Sequence, residues 1–231
     1  MLIIDDFTPV PEAADHYASL GLAPIPLHGI VDGKCACRND VCKGSGKHPI
    51  GADWNNKSTS DPEIVRERFR GHRGNIGIAL QGKYVLIDAD GEVGLATIDT
   101  LDPLPDTLTA ISGSGKGGHW LYRLAPHQSA DKITDRRFAE GVDVKIRGQF
   151  VCAPSIHASG NRYQWVNFRE PAELPDWLYK LVCKPAVTTA AVKSDSPGIK
   201  RVRAYVGGTV VADTIAPIVH PTARRGPIRS A

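Results

Sequence analysis

The sequence contains no long apolar run, so it offers no candidate for a membrane-spanning helix and we expect no membrane contact. Its N-terminal stretch, Met1 to Asp6, is acidic and too short in apolar residues for a secretory signal, which favours a cytoplasmic protein. No tandem repeat is visible, which argues against a repeat architecture. A chain of 231 residues with 42% hydrophobic content predicts one substantial core and a small appendage.

The cysteines are odd in number, five in all, and without a secretion signal they argue against a disulfide framework. Three of them fall in a Gly- and Lys-rich loop at about residues 31–50. With a following histidine they supply three thiolates and one imidazole: Cys35, Cys37, Cys42 and His48. This is the ligand count of tetrahedral structural zinc, so we predict Zn²⁺ here, with His28 as a substitute ligand. Cys152 and Cys183 lie among apolar residues and are expected to be buried.

The net charge of +3 is too small to indicate nucleic acid by itself, but its distribution is uneven. Residues 184–231 hold eight Lys or Arg and two Asp, a net charge of +6, which leaves −3 for residues 1–183. We therefore expect a folded domain over 1–183 and a basic tail or linker over 184–231, with a short hairpin around Gly207 and Gly208. Such a tail either seeks phosphate or is merely solvated.

The pattern of apolar and turn residues predicts a mixed α/β domain. The predicted helices cover residues 11–22, 61–70, 92–101, 131–139 and 177–182. The predicted strands cover residues 23–27, 76–80, 84–88, 108–112, 119–124, 142–147, 150–153 and 162–166. Two hairpins are predicted, one around Gln81-Gly82-Lys83 and one across the glycine-rich stretch before His119.

Three polar clusters, each beside a short strand, are the most informative feature: Asp88-Ala89-Asp90, Ser112 to His119, and Asp143 to Arg147. Because alternate residues of a strand share a face, the two aspartates of the first cluster lie together, as do the aspartate and both cations of the third. Three neighbouring strands could therefore present one polar face. A solvated antiparallel sheet explains the alternation but not the choice of residues. Three carboxylates suit divalent metals and the cations suit phosphate, which predicts phosphoryl transfer on nucleotides.

The glycine-rich segment over residues 112–118 is not a Walker A loop, because Lys116 is followed by glycine rather than Ser or Thr. Its glycines would let backbone N–H groups approach a phosphate closely. We predict that Ser112, Ser114 and Lys116 bind nucleotide and that His119, where the next strand begins, donates to a phosphate oxygen.

The order of these motifs resembles the N-terminal bifunctional DNA primase/polymerase (prim-pol) domain of the archaeo-eukaryotic primase superfamily, found in phage and plasmid replication proteins. That family has an apolar strand with Asp-x-Asp, a glycine-rich turn ending in histidine, and a later apolar strand ending in Asp. The matching segments here are Val85 to Asp90, Ser114 to His119 and Gly141 to Lys145. Flanking blocks at 46–49, 75–78, 153–157 and 159–165 are also similar. The resemblance covers about residues 14–182.

The resemblance implies an α/β fold with an RRM-like catalytic sheet, to which the predicted zinc loop is added. It implies that three aspartates hold two Mg²⁺ or Mn²⁺ ions: Asp88, Asp90 and Asp143. It places three cations toward an incoming triphosphate: His119, Lys145 and Arg147. The family's second motif is often Ser-x-His, and Gly117 stands in the serine's place, so Ser112 or Ser114 would have to supply that hydroxyl.

The resemblance further implies an enzyme that synthesises or extends primers on a DNA template from NTPs or dNTPs, with a separate replicative helicase as a partner. Two other interpretations of the same residues stay open. One is a metal-dependent nuclease that uses Asp88, Asp143 and Lys145, and the other is a non-catalytic, zinc-containing DNA-binding module. A nuclease degrades DNA without triphosphates, whereas a polymerase lengthens DNA with them.

Overall fold

The computed structural model describes residues 4–183, 199–206 and 209–217. The chain divides into two units, residues 1–183 and residues 184–231. In the described part of the chain, every helix is too short or too polar to cross a membrane. The first unit combines helices with antiparallel sheets, which confirms the mixed α/β class predicted from the sequence.

The described residues of the first unit form five α-helices: α1 (Val10–Ser19), α2 (Trp54–Lys57), α3 (Pro62–Phe69), α4 (Gly91–Ile98) and α5 (Asp176–Val182). Seven strands precede a 3-10 turn at Ala130–Lys132: β1 (Ala23–Leu27), β2 (Ile30–Val31), β3 (Lys34–Cys35), β4 (Asn75–Ala79), β5 (Tyr84–Ala89), β6 (Leu108–Ile111) and β7 (Gly118–Arg123). Five strands follow it: β8 (Arg136–Ala139), β9 (Val142–Lys145), β10 (Gln149–Val151), β11 (Gln164–Asn167) and β12 (Ala172–Glu173).

The larger sheet has the strand order β11-β6-β7-β5-β9-β8, with β12 added in parallel at the end of β7. Its central strand β5 pairs antiparallel with β7 on one side and with β9 on the other. On one face, Val85 and Ile87 pack with β9 and with Leu178 of α5. On the opposite face, Leu86 belongs to a second core. Alternate side chains of β5 therefore pack into two different cores, one on each side of the sheet.

The smaller sheet has the order β1-β4-β10 and covers part of the larger sheet. The core that joins the two sheets contains Ile76 and Ile78 of β4, Phe150 of β10 and Leu86 of β5, and α1 and α3 close it. The face of β5 that carries Leu86 is therefore mostly buried between two sheets rather than solvated. Its polar residues can meet water only where this layer of packing ends.

The predicted hairpin around Gln81-Gly82-Lys83 is wrong. The chain does turn sharply there, with positive φ at Gln81 and Gly82, but β4 and β5 enter different sheets. Backbone bonds from Leu80 N to Gly148 O (3.0 Å) and from Gly82 N to Ile146 O (2.9 Å) join this turn to the β9–β10 connection. The β4–β5 connection and the β9–β10 connection both pass from one sheet to the other, and they therefore run side by side. Each strand already has two better-placed partners, and this long-range pairing overrides the local turn signal.

The helix predicted over residues 131–139 is also wrong. A single 3-10 turn at Ala130–Lys132 is followed by β8, which pairs with β9 at the edge of the larger sheet. The helical propensity of this segment is weak. The backbone N–H and C=O groups at the edge of β9 need partners, and the segment supplies them by forming β8. The predicted hairpin of β6 and β7 is confirmed, with Ala110 opposite His119.

In the second unit, the described residues form two strands, β13 (Ile199–Val206) and β14 (Thr209–Pro217), which pair antiparallel. The rest of the predicted basic tail, residues 184–198 and 218–231, lies outside the described residues. The two glycines around which a turn was predicted, Gly207 and Gly208, also lie outside them.

A buried tyrosine ties α1 to the rest of the first unit. The Tyr17 side chain is fully buried, and its hydroxyl donates to the carbonyl oxygen of Ala153 at 2.6 Å. The same hydroxyl accepts from the indole N–H of Trp165 on β11 at 2.7 Å. Both groups would lose their partner if the hydroxyl were removed, and unpaired buried polar groups are costly.

We expect Tyr17→Phe to lower the free energy of unfolding by about 1–3 kcal/mol, because it leaves the carbonyl of Ala153 and the indole N–H of Trp165 without this hydrogen-bond partner. Tyr84→Phe is the matched control, because that half-buried hydroxyl makes no hydrogen bond within residues 4–183. Its effect should stay within about 0.5 kcal/mol. Urea unfolding followed by tryptophan fluorescence measures both, and equal effects would contradict the role given to Tyr17.

Candidate active site

Three polar side chains form a row across the centre of the larger sheet. Asp88 on β5 lies directly opposite His119 on β7 and directly opposite Asp143 on β9. Residues opposite one another in an antiparallel pair point to the same face, so this register places all three together. The structure therefore brings the three sequence motifs into one site.

Asp88 is the buried centre of the row. Asp88 is only 7% exposed. One of its carboxylate oxygens lies 3.2 Å from His119 Nε2, and the other lies 2.6 Å from Lys145 Nζ. Burial alone would raise the pKa of Asp88, but the hydrogen bond and charge of His119 and the charge of Lys145 outweigh it. They hold the pKa of Asp88 well below its usual range. The carboxylate is thus kept ionised inside the protein.

His119 is fixed by packing as well as by Asp88. Its ring lies edge-on to Phe150 at 5.6 Å between centroids and stacks on Tyr163 at 6.3 Å. Its Nδ1 atom is buried and has no hydrogen-bond partner among residues 4–183. In this arrangement the imidazole is directed at Asp88 through Nε2, so it orients the carboxylate.

The other two aspartates are more exposed and share one arginine. Asp143 accepts from Nε of Arg137 at 3.1 Å, and Nη2 of Arg137 lies 3.8 Å from a carboxylate oxygen of Asp90. The side chains of Asp88, Asp143 and Asp90 are 10%, 27% and 64% exposed. Asp90 immediately precedes α4 rather than lying within β5, so its side chain is set by the turn as well as by strand alternation.

The glycine-rich segment brings two hydroxyls beside the aspartates. Ser112 Oγ lies 2.8 Å from Ser114 Oγ. A Cβ atom added at Gly117 would lie 2.5 Å from the carbonyl oxygen of Ala89 and 3.0 Å from Ser112 Oγ. Glycine is therefore required at position 117 in this backbone. The Ser112 hydroxyl lies next to the place where a side chain at 117 would begin.

A cleft of about 280 Å³ opens beside this row. Six of its lining residues are site residues predicted from the sequence: Asp88, Asp90, Ser112, Ser114, His119 and Lys145. The others come mainly from the smaller sheet and the loops around it: Lys47, Gln149, Phe150, Val151, His157 and Tyr163. Lys47, His157 and Tyr163 belong to the flanking blocks that resemble the family, and the sequence assigns them no role. Their position depends on how the two sheets pack.

His157 lines the cleft and is held by contacts with Ser159. Its Nδ1 lies 2.9 Å from Ser159 Oγ and 3.1 Å from the backbone nitrogen of Ser159. Burial lowers the pKa of His157, and the charge of Lys47 lowers it further. A Cβ added at Gly113 would lie 2.3 Å from His157 Cβ, so the glycine allows this histidine to approach the glycine-rich segment.

Two predicted nucleotide-binding cations are not brought into the cleft. Arg147 Nη2 lies 2.7 Å from Asp131, and Lys116 Nζ lies 3.5 Å from Glu92. Neither Arg147 nor Lys116 lines the cleft, although other residues of the same motifs do. Lys145 does line the cleft and contacts Asp88.

The cysteine loop forms a separate cluster of potential metal ligands. The ligand atoms of Cys35, Cys37, Cys42 and His48 all lie within 4.8 Å of one another. His48 Nε2 lies 3.2 Å from Cys35 Sγ and 3.4 Å from Cys42 Sγ. A tetrahedral site with Zn–S of about 2.3 Å and Zn–N of about 2.0 Å has edges of about 3.4–3.8 Å, so the donor set fits.

The surroundings of that cluster favour the thiolate form of Cys35 and hold the ring of His48 in place. Burial alone would raise the pKa of the Cys35 thiol, but backbone hydrogen bonds from Gly46 and Cys37 and the contact with His48 lower it to about 6. His28 stacks on the His48 ring at 4.5 Å between centroids and is not one of the four converging ligands. Of the two isolated cysteines, Cys152 is buried as predicted, whereas Cys183 is only partly buried.

The three aspartates fit a divalent metal by chemistry, because carboxylate oxygens are the donors that hard cations prefer. They do not converge as the cysteine loop does, and in residues 4–183 the cysteine cluster is the one such convergent group. Lys145 forms an ion pair with Asp88, and Arg137 forms one with Asp143, so these two carboxylates already have a cationic partner. The donor set can thus hold a metal only where those two cations give up part of their contacts.

The model of the bifunctional DNA primase/polymerase N-terminal domain matches residues 14–177. No curated protein matches the chain.

We expect Lys145→Met to lower the free energy of unfolding at pH 7 by about 1–3 kcal/mol, because it leaves Asp88 ionised and buried with one partner fewer. The native pKa of Asp88 is depressed, so its stabilising effect is present above the unfolded-state pKa of about 3.9 and is lost as the pH falls. The difference between wild type and variant should therefore persist from pH 7 to about pH 4 and shrink as the pH falls further, from about pH 4 toward pH 2. Urea unfolding across that range, without added Mg²⁺, measures it.

Arg169→Met is the matched control for this test. It removes an exposed ion pair to Asp106 at 2.9 Å and should cost less than about 1 kcal/mol at every pH. A pH-independent effect of Lys145→Met equal to that of the control would contradict the importance given to the Lys145–Asp88 pair.

Proposed function

This chain belongs to the bifunctional DNA primase/polymerase family, and on that premise we propose that it is a nucleotidyltransferase that makes or extends primers on a DNA template. The observation that carries the proposal is the row of Asp88, His119 and Asp143 across three adjacent strands, with Lys145 on the same cleft. Asp88, Asp90 and Lys145 line one cleft, and Asp143 lies beside Asp88 without lining it. Carboxylates next to a cation are what phosphoryl transfer from a triphosphate needs.

The proposed reaction joins a 3′-hydroxyl to the α-phosphorus of an incoming nucleotide and releases pyrophosphate. Asp88 and Asp143 would hold Mg²⁺ or Mn²⁺, with Asp90 at the exposed edge of the same set. A divalent ion there favours deprotonation of the hydroxyl and offsets negative charge on the phosphate. His119 positions Asp88, because its Nε2 is directed at that carboxylate.

Lys145 and the serines of the glycine-rich segment are the proposed nucleotide contacts. An ammonium has three N–H donors, and Lys145 has one of them directed at Asp88, which leaves two for phosphate oxygens. Ser112 and Ser114 line the cleft on the side of the glycine-rich segment. Ser112 supplies the hydroxyl for which Gly117 has no room, in the place next to position 117.

The cysteine cluster is proposed to hold a structural Zn²⁺. Four converging protein ligands leave no open position, which is typical of a structural site. Its neighbours β2 and β3 have only two residues each, so metal binding would supply much of the energy that orders this loop. The proposed biological setting is phage, prophage or plasmid replication, with a DNA template, nucleotides and a separate helicase as partners.

Loss of catalysis should follow from removing single carboxylates. We expect Asp88→Asn, Asp90→Asn and Asp143→Asn each to lower primer extension by more than about 100-fold, because a metal ligand matters at least as much as its supporting groups. Asp102→Asn, an exposed aspartate away from the cleft, should leave activity unchanged. The assay follows extension of a primed single-stranded template with NTPs and dNTPs in separate reactions.

Two outcomes of that assay would count against the proposal. Near-wild-type extension by any two of the three variants would remove the metal-ligand assignment. Degradation of DNA without any triphosphate, lost in Asp143→Asn, would favour a nuclease instead.

Zinc content tests the cysteine cluster directly. Freshly purified protein should contain about one Zn²⁺ per chain, and Cys42→Ser should lose it, because three ligands hold zinc much less tightly than four. Residues 31–50 should then be cut faster by protease, while the larger sheet stays folded. Cys183→Ser is the matched control and should keep its zinc. Elemental analysis that finds none in the wild type would refute the site.

A further inference from the structure

Lys47 lies where the cysteine loop meets the cleft. It directly precedes His48, one of the four converging ligands, and it lines the same opening as Asp88 and Lys145. Asp88 and Lys47 therefore line one cleft from two different layers of the fold. Lys47 had no role in the motif pattern of the catalytic sheet.

The backbone at Lys47 is anchored to the smaller sheet on both sides. Gln149, the first residue of β10, donates from Nε2 to the carbonyl oxygen of Lys47 at 2.7 Å. Asn75 of β4 donates to the carbonyl oxygen of Gly46 at 2.8 Å, and the backbone N–H of His28 donates to that of His48 at 3.0 Å. These bonds fix where the lysine side chain begins.

The charge of Lys47 is available to a ligand. Within residues 4–183 its exposed side chain makes no ion pair, whereas Lys116, Lys145 and Arg147 each contact a carboxylate. His157 lines the same cleft; burial lowers its pKa, and the positive charge of Lys47 lowers it further. The cleft thus contains one cation, Lys47, that no carboxylate of residues 4–183 pairs with.

We propose that Lys47 binds the phosphates of the incoming nucleotide, and that the cysteine loop acts on the reaction by holding this lysine at the cleft. The inference rests on the proposed function, because it names a further contact of the same nucleotide. Lysine binds phosphate as a point charge, so the ligand it recognises is the triphosphate rather than the base or sugar. An ammonium in this cleft offsets the repulsion between the triphosphate and the carboxylates of Asp88 and Asp90.

The test compares nucleotide binding by the full-length wild type, Lys47→Met and Lys47→Arg. Methionine keeps most of the apolar stem and removes only the charge, and Lys43→Met is the matched control because Lys43 is exposed in the same loop but does not line the cleft. Dissociation constants are measured by calorimetry for a dNTP and the corresponding dNMP in Ca²⁺, and zinc content and single-stranded DNA affinity are measured for each variant.

We expect Lys47→Met to weaken dNTP binding at least about tenfold, the size of one lost charged hydrogen bond, and dNMP binding less than about twofold. Lys47→Arg should restore most of the loss, Lys43→Met should bind as wild type, and all should keep their zinc. Equal dNTP affinity for wild type and Lys47→Met, with or without a loss of DNA affinity, would overturn the inference, as would an equal loss for dNTP and dNMP. A wild type that binds no dNTP would overturn the proposed function as well.

Discussion

The buried carboxylate of Asp88 is the group on which the arrangement of the site depends. A charge inside a protein is costly unless it is paired, and Asp88 takes its two partners from the two strands beside its own, His119 from β7 and Lys145 from β9. A slip of one residue in either pairing would turn the partner to the other face of the sheet. The strand register and the chemistry of the site are therefore one constraint.

The two sheets determine how that site is enclosed. Leu86 lies two residues before Asp88 on the same face of β5, and it is buried against the smaller sheet together with Ile78 and Phe150. Where this apolar contact ends, the same face turns polar and the cleft opens. Phe150 also touches the ring of His119, so the core residue that joins the layers is the one that limits the histidine's movement. The width of the cleft is consequently set by core packing rather than by the polar residues.

The cysteine loop adds a second level of order to the smaller sheet. Its strands are too short to be stable alone, and its anchors to the sheet are single contacts, such as the amide of Asn75 and the bridge between Leu27 and Pro49. A metal at the four converging ligands would stiffen the loop immediately before it reaches the cleft. The proposed zinc and the proposed nucleotide site are thus linked through two adjacent residues, Lys47 and His48.

The sequence by itself determined the parts of the protein that local patterns encode. Strand alternation predicted which residues of β5 and β9 share a face, and ligand spacing predicted the cysteine cluster that the structure brings together. The hairpin around Gln81-Gly82-Lys83 and the helix over 131–139 were wrong, because a turn or a weak propensity does not specify which strand edge will be paired. Only the tertiary structure decided that Lys47 and His157 face the aspartates while Arg147 does not. These placements depend on how one sheet packs on the other, and the periodicity of the sequence does not predict that packing.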